Sequence, residues 1–302
     1  MLSRFHLAGS GRFPGALPGY GILVVFRHQM RARCPVRDLI WMGVLVLSFE
    51  AIAAGLQFSV MPAREYSGDT PGFLHRWISM TSLAGPLLFL PVAAALGAFS
   101  VPPVSRFEET QSMLLTRLKP LDLCAGRLLA GLWPLIAAIL ASCAISLTVQ
   151  LIRRPILAGS ADGYLALFVM HLVLLTSVVA TGALAFLPAM RRRPGRVWSR
   201  GFLAALVTAA LAVTGLFLVN PVIVRQDNPT GLIYGMLLIN PVSASASALR
   251  MDILRVPGLY ERTNAHDYPF VYPPALGSCA LFVAGGAVML ALSAARLRSA
   301  YR

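Results

Sequence analysis

Long, almost uncharged runs of apolar residues constrain this chain more than any other feature of its sequence. An α-helix rises ~1.5 Å per residue, so ~20 residues are needed to cross the ~30 Å hydrocarbon layer of a bilayer. Because the runs are continuously apolar rather than alternating, helices are the form in which we expect them to span. Six runs are long enough, at about 39–61, 80–101, 128–150, 164–190, 202–222 and 275–295.

Composition agrees with this interpretation. Of the 302 residues, 57% are hydrophobic and only 13% are charged, whereas a soluble domain has about a quarter of its residues charged. The mean hydropathy is +0.71. We therefore predict an all-α integral membrane protein with six transmembrane helices, forming a single transmembrane domain over residues 1–302.

The net charge of +14 comes from 26 basic and 12 acidic residues. The basic residues are scattered between the apolar runs rather than clustered on one face, so we expect no nucleic-acid binding. With a cytoplasmic N-terminus, 18 basic residues lie on the cytoplasmic side and eight lie outside. The short loop RRRPGRVWSR at 191–200 contributes most clearly, because short loops follow the positive-inside rule best. Both termini are thus predicted to be cytoplasmic.

The segments before the first run differ in character. Residues 1–17 are rich in Gly, Pro and Ser and are expected to be loose. Residues 18–38 begin with apolar side chains and then carry four arginines. This pattern predicts an amphipathic helix in the cytoplasmic interface, with its basic side chains toward lipid phosphates. A simple topology anchor is the alternative interpretation.

The segment 223–274 is predicted to be an outer loop. Within it, residues 231–249 form a 19-residue stretch without charge. Asn240 followed by Pro241, together with several serines, disfavours a lipid-facing helix across this stretch. We therefore expect short re-entrant or interfacial helices there, with a seventh span as the alternative.

The stretch SRFEETQSMLLTRLKP, beginning at Ser105, predicts a separate cytoplasmic helix at about 105–118. Ser105 followed by Glu108 has the spacing of a capping box. Glu108 and Glu109 fall in the first turn and Arg117 in the last, as the helix dipole favours. The helix is either a cytoplasmic loop that happens to be helical or a docking element for a soluble partner.

The apolar face of this helix favours docking to a soluble partner. Phe107 and Leu114 lie on an apolar face, which could fill a groove in a partner. Pro120 is expected to end the helix, and Asp122 is predicted to cap the third span.

The sequence RFEETQSMLLTRLKPLDLCAGRLLAGLWP resembles the type-2 ABC transporter permeases. In that family, acidic residues precede a Leu-Leu-Leu-Thr-Pro-Leu-type run and a Gly-Lys-Leu-type start of the next span. Here the corresponding stretches are EET at 108–110, MLLTRL at 113–118 and GRLL at 126–129. VVFRHQMRARCPVRDLIW is similar to the family's helix before the first span. The short outer helices that the family has before its last span correspond to residues 231–249.

The resemblance implies a permease, in a bacterial cytoplasmic (inner) membrane, that exports its cargo. It would dimerise with a second permease copy, pair with a separate ATPase subunit and contact membrane lipids. The helix at 105–118 would then be the coupling helix, seated in a cleft of the ATPase. ATP would be bound by the partner, so the permease itself needs no cofactor and is not an enzyme. The implied ATPase-docking residues are Phe107, Glu108, Glu109, Leu114 and Arg117.

Other motifs point to no catalytic or metal site. The chain has a single lysine, Lys119, and Pro120 follows it. A P-loop requires Gly-Lys-Ser/Thr, so the chain contains none. The four cysteines form no CxxC pair and are interpreted as free thiols, without disulfide or metal. They are Cys34, Cys124, Cys143 and Cys279.

Two polar residues stand inside apolar runs. A carboxylate at Glu50, near the middle of the first span, costs roughly 3 kcal/mol on insertion scales. Glu50 either lines a pathway or dimer seam, or is satisfied by a polar side chain on a neighbouring helix. His171 in the fourth span is its candidate partner, or else an ordinary hydrogen-bonded residue.

Two other classes of function remain open at this point. An intramembrane lipid-modifying enzyme would need polar catalytic residues near the interface, and the charged side chains of the loop at 223–275 could supply them. A non-catalytic membrane scaffold or assembly factor is the other alternative.

Overall fold

The computed structural model describes residues 20–31, 40–41, 43–49, 70–101, 118–153, 160–189, 197–218, 231–248 and 274–300. Nearly all of these residues are helical, and none of them lies in a β-strand. Residues 40–41 and 43–49 are helical as well. The helices with defined bounds are α1 (Tyr20–Arg31), α2 (Thr70–Phe99), α3 (Pro120–Arg153), α4 (Ser160–Ala189), α5 (Val197–Leu218), α6 (Gly231–Ile239), α7 (Pro241–Ala248) and α8 (Ala275–Ala300).

Three helices are long and apolar enough to cross a membrane. Their apolar segments are Pro120–Thr148 in α3, Tyr164–Ala189 in α4 and Ala275–Ser299 in α8. Shorter apolar stretches occur in α2, at Ala84–Phe99, and in α5, at Arg200–Leu211. The chain therefore has the character of an all-α membrane protein, while the number of six spans stays a prediction.

The start of α3 differs from the prediction. The helix begins at Pro120, and the N–H of Leu123 donates to the carbonyl of Lys119 at 3.2 Å. Proline suits the first helical position because the N–H that it lacks would have no partner there. Asp122 thus lies inside the first turn rather than capping the helix, where its charge still complements the helix dipole.

The backbones of α2 and α4 approach each other closely where the two helices cross. A methyl group added at Gly97 would lie 2.7 Å from the Cα atom of Gly182. Leu132 of α3 packs on the other side of this crossing, 2.8 Å from where a methyl group on Gly182 would lie. Only glycine lets two helix backbones approach so closely, and small residues are the usual contact points between membrane helices.

Helix α1 packs along the first turns of α3. The Cβ atom of Val25 lies 2.7 Å from where a methyl group on Gly126 would be, and Val25 is buried. The rings of Phe26 and Trp133 meet edge to face, with centroids 5.7 Å apart. Two further contacts between residues of the same helices, Gly21 with Asp122 and Ile22 with Gly126, extend the packing. The polar face of α1, with Arg27 and Arg31, stays exposed.

Several helix ends meet at one end of the bundle. Ser100, just after α2, lies against Gly131 of α3, with its Cβ 2.9 Å from where a methyl group would be. Arg200 of α5 and Arg296 of α8 donate to carbonyls in the last turn of α4, at 3.3 Å and 3.4 Å. Cations at a helix C-terminus stabilise its unpaired carbonyls.

This end of the bundle is strongly basic, and we call it the basic end. Within the described ranges, seven of the nine Lys and Arg residues lie there, and Asp122 is the acid beside them. The other two, Arg76 and Arg153, belong to the opposite ends of α2 and α3. The seven are Arg27, Arg31, Lys119, Arg127, Arg200, Arg296 and Arg298.

The crossing of α2 and α4 gives a test of the packing. We expect Gly97→Ala to lower the free energy of unfolding by about 1–3 kcal/mol, because the new methyl group forces the two backbones apart. Gly285→Ala in α8 is the matched control, since nothing lies within 4 Å of the added methyl group. Thermal unfolding in mild detergent measures both. Equal unfolding midpoints for the two variants would contradict the close backbone contact between Gly97 and Gly182.

Candidate functional site

Most of the residues predicted to form sites lie outside the described part of the chain. These are Glu50, Phe107, Glu108, Glu109, Leu114 and Arg117. Among the predicted site residues, His171 lies within the described part of the chain. The candidate site is formed by the helices that pack near His171.

His171 is buried in α4, with 4% of its surface exposed. Its Nδ1 atom lies 2.8 Å from the carbonyl oxygen of Leu167, one turn earlier. Because a carbonyl only accepts, Nδ1 must carry the proton and donate it. The imidazole is therefore held to its own helix. A role of His171 in a pathway or dimer seam stays a prediction.

The part of α4 around His171 packs against α7 and the start of α8. Val173 of α4, Ala244 of α7, and Ala275 and Cys279 of α8 form one buried cluster. Polar side chains are buried in the same helices, which is unusual within an apolar bundle. Besides His171 itself, they are Ser177, Asn240, Ser243, Ser245, Ser278 and Ser293.

Asn240 separates α6 from α7. Pro241 occupies the first position of α7, where its missing N–H needs no acceptor. The side-chain Oδ1 of Asn240 accepts the N–H of Val242 at 2.9 Å, and its carbonyl accepts the N–H of Ala244 at 3.0 Å. Asn240 is thus the N-cap of α7.

A carbonyl group at the end of α6 accepts a hydrogen bond from the other side of the break. The hydroxyl of Ser243 donates to the carbonyl of Leu237, six residues earlier, at 2.9 Å. The backbone N–H of Asn240 also donates to that carbonyl, at 3.3 Å. Asn240 caps the helix that follows, and Ser243 caps the helix that precedes. Irregular backbone at membrane depth requires such internal partners, because lipid tails supply none.

The first turns of α8 lie beside both short helices. A methyl group on Gly277 would be 3.7 Å from a methyl carbon of Leu238 in α6, and Ala275 packs with Ala244 of α7. Ser278 follows directly and is completely buried. We call this region, formed by Asn240 with its flanking turns and by residues 274–279, the α7–α8 junction.

The chemistry of the α7–α8 junction is neutral hydrogen bonding. Its polar side chains are one amide and several hydroxyls, next to the positive end of the α7 dipole. Within the described ranges no three His, Cys, Asp or Glu residues lie close enough together to hold a metal ion. Cys124, Cys143 and Cys279 are free thiols.

From the sequence, Asn240 and Pro241 were expected to disfavour a lipid-facing helix, but neither Ser243 nor Ser278 was singled out. The signal for Ser243 was its position three residues after a capping asparagine. Ser278 gave no signal, because one serine in an apolar run is ordinary. No protein-family description matches this chain, and no curated protein or solved structure is significantly similar to it.

The cap formed by Asn240 predicts that two substitutions at this position lower the free energy of unfolding by different amounts. Asn240→Ala removes the acceptor for the Val242 N–H and should cost about 1 kcal/mol of unfolding free energy. Asn240→Ser keeps a capping oxygen and should cost only a few tenths of that value. Thermal unfolding in detergent compares them. The cap assignment fails if the serine variant is as unstable as the alanine variant.

Proposed function

We propose that this chain is the membrane-spanning subunit of an ATP-driven exporter, of the type-2 ABC permease kind. In this proposal a separate ATPase subunit binds and hydrolyses ATP and docks on the helix predicted at 105–118. A second permease copy completes the transport pathway. The proposal takes its family from the motif resemblance described above, and the arrangement of helix ends supports it.

The observation that carries the proposal is where the predicted docking segment leaves and rejoins the bundle. Helix α2 ends at Phe99, beside Gly131, and α3 begins at Pro120. Gly131 is 11 residues into α3, so the start of α3 extends ~16 Å past the end of α2. Residues 102–117 connect these two points. Both ends of the segment are therefore attached at the basic end, which the positive-inside rule assigns to the cytoplasm.

A force applied to this segment would act on a rigid element. Pro120 follows it almost directly, and α3 is one helix of 34 residues. Along its first turns α3 is packed against α1, and further on Leu128 and Leu132 lie in the main buried cluster. A displacement of the docking helix would thus move α1 and α3 together and reach the bundle core through buried contacts.

In the proposed complex each docking residue has a defined task. Phe107 and Leu114 fill an apolar cleft of the ATPase, and Glu108 and Glu109 meet cationic residues at its rim. Arg117, in the last turn, faces the carbonyl end of the helix dipole. The protein resides in a bacterial cytoplasmic membrane, with six spans, cytoplasmic termini and anionic lipid around its basic end.

The docking assignment predicts the behaviour of a charge reversal. We expect Glu108→Arg/Glu109→Arg to abolish recovery of an ATPase when the tagged protein is purified from membranes in mild detergent. Opposite charges at the cleft rim would become like charges, which disfavours association by several kcal/mol. Insertion and yield of the permease should not change.

Arg31→Glu/Arg298→Glu is the matched control, because it reverses two exposed charges at the basic end outside the docking helix. It should retain the ATPase. If the wild-type protein recovers no ATPase even after crosslinking in native membranes, the proposed function is wrong. If the control loses the ATPase as well, the binding surface is broader than the helix at 105–118.

The orientation predicts the response of topology reporters. A reporter inserted after Thr110 should be active only in its cytoplasmic form, because residues 102–117 join the basic end. A reporter inserted after Ala158, between α3 and α4, should be active only in its exported form. Alkaline phosphatase and green fluorescent protein insertions at both positions measure this. The opposite pattern would reverse the assigned orientation.

A further inference from the structure

Two buried polar atoms of the α7–α8 junction have no hydrogen-bond partner: Nδ2 of Asn240 and Oγ of Ser278. Asn240 is 8% exposed and Ser278 is 0% exposed. Buried polar side chains are nearly always paired, and unpaired ones are most costly where no water can reach them. Two such atoms at one junction therefore need a physical explanation.

The surroundings of Ser278 differ from those of the hydroxyls that are hydrogen-bonded in the same helix. Hydroxyls in these helices bond back to a carbonyl one turn earlier, as Ser293 does to Met289 at 2.8 Å. For Ser278 that carbonyl belongs to Pro274. It already accepts the N–H groups of Gly277, at 2.9 Å, and of Ser278 itself, at 3.3 Å. The Pro274 carbonyl thus already accepts two N–H groups, and the buried Ser278 hydroxyl makes no hydrogen bond.

The amide of Asn240 is fixed by its capping role. Its Oδ1 is bound to the N–H of Val242, at 2.9 Å, so the planar amide cannot turn over. Nδ2 is consequently directed away from that N–H, with two hydrogens to donate. Leu238 and Ala244, on either side of Asn240, both contact the part of α8 that carries Ser278.

We propose that the α7–α8 junction is a binding subsite for an oxygen acceptor of the transported molecule, held by Asn240 Nδ2 and Ser278 Oγ. A carbonyl, hydroxyl or carboxylate oxygen meets the requirement. An amide nitrogen can only donate, and the start of α7 adds partial positive charge. The subsite therefore favours neutral or anionic oxygen and disfavours cations. Its use for transport cargo rests on the proposed function.

Thiol labelling of the full chain in lipid nanodiscs tests the subsite. Cys34, Cys124, Cys143 and Cys279 are first replaced by alanine, and Ser278→Cys then provides the reporter thiol. The probes are 2-sulfonatoethyl methanethiosulfonate, an anion, and its trimethylammonium analogue, a cation. Each rate is divided by the rate of the same probe with free cysteine in solution.

Ser293→Cys is the matched control, because Ser293 is equally buried on the same helix and its hydroxyl is paired. We expect the sulfonate to modify Ser278→Cys about tenfold faster than Ser293→Cys, the factor that one charge-assisted hydrogen bond supplies. The normalised rate of the sulfonate should also exceed that of the cation. Adding Asn240→Ser, which keeps the cap but removes Nδ2, should abolish most of this preference.

Three results would overturn the subsite. The first is equal labelling at positions 278 and 293, and the second is a cation that reacts as fast as the anion. The third is fast labelling in detergent that disappears in nanodiscs, since a lipid carbonyl would then occupy the junction. The experiment contains no ATPase. A negative labelling result would therefore say nothing against the recovery of an ATPase with the tagged protein. Failure to recover an ATPase would equally leave the labelling result unchanged.

Discussion

The backbone contact between Gly97 and Gly182 is the constraint on which the rest of the bundle depends. It brings α2 and α4 closer than any side chain would allow, and Leu132 of α3 closes over the same point. Beside it, Gly201 of α5 approaches the ring of Phe99, with 3.0 Å between the ring and an added methyl group. Helices with apolar surfaces gain little from leaving lipid, so close packing of this kind must hold them together.

Polar groups inside the bundle obey a second constraint, which is that they must be satisfied without water. Most hydroxyls bond back to their own helix, as those of Thr176 and Thr208 do. The break at Asn240 uses side chains of both flanking turns for the same purpose. Ser278 departs from this rule because its buried hydroxyl has no hydrogen-bond partner, which sets the α7–α8 junction apart from the other described hydroxyls.

Sequence patterns predicted those features of the fold that are determined by residues close together in the chain. The apolar runs indicated helices in a membrane, and Asn240 with Pro241 disfavoured a lipid-facing helix across the uncharged stretch at 231–249. The start of α3 was placed three residues late, because Asp122 was taken as a cap although proline is well suited to the first helical position. The pairing of Gly97 with Gly182 could not be predicted, since 85 residues separate two glycines that are individually unremarkable.

Helices α4 and α8 pack together and connect the α7–α8 junction to the basic end. At one end Val173 packs with Cys279 beside Ser278, and at the other Arg296 donates to the carbonyl of Leu187. Ser278 and Arg296 are 18 residues apart, or ~27 Å along a helix that cannot be shortened without breaking backbone hydrogen bonds. In a transporter of the proposed kind, a movement of the basic end would therefore reach the α7–α8 junction as a rigid displacement of this pair.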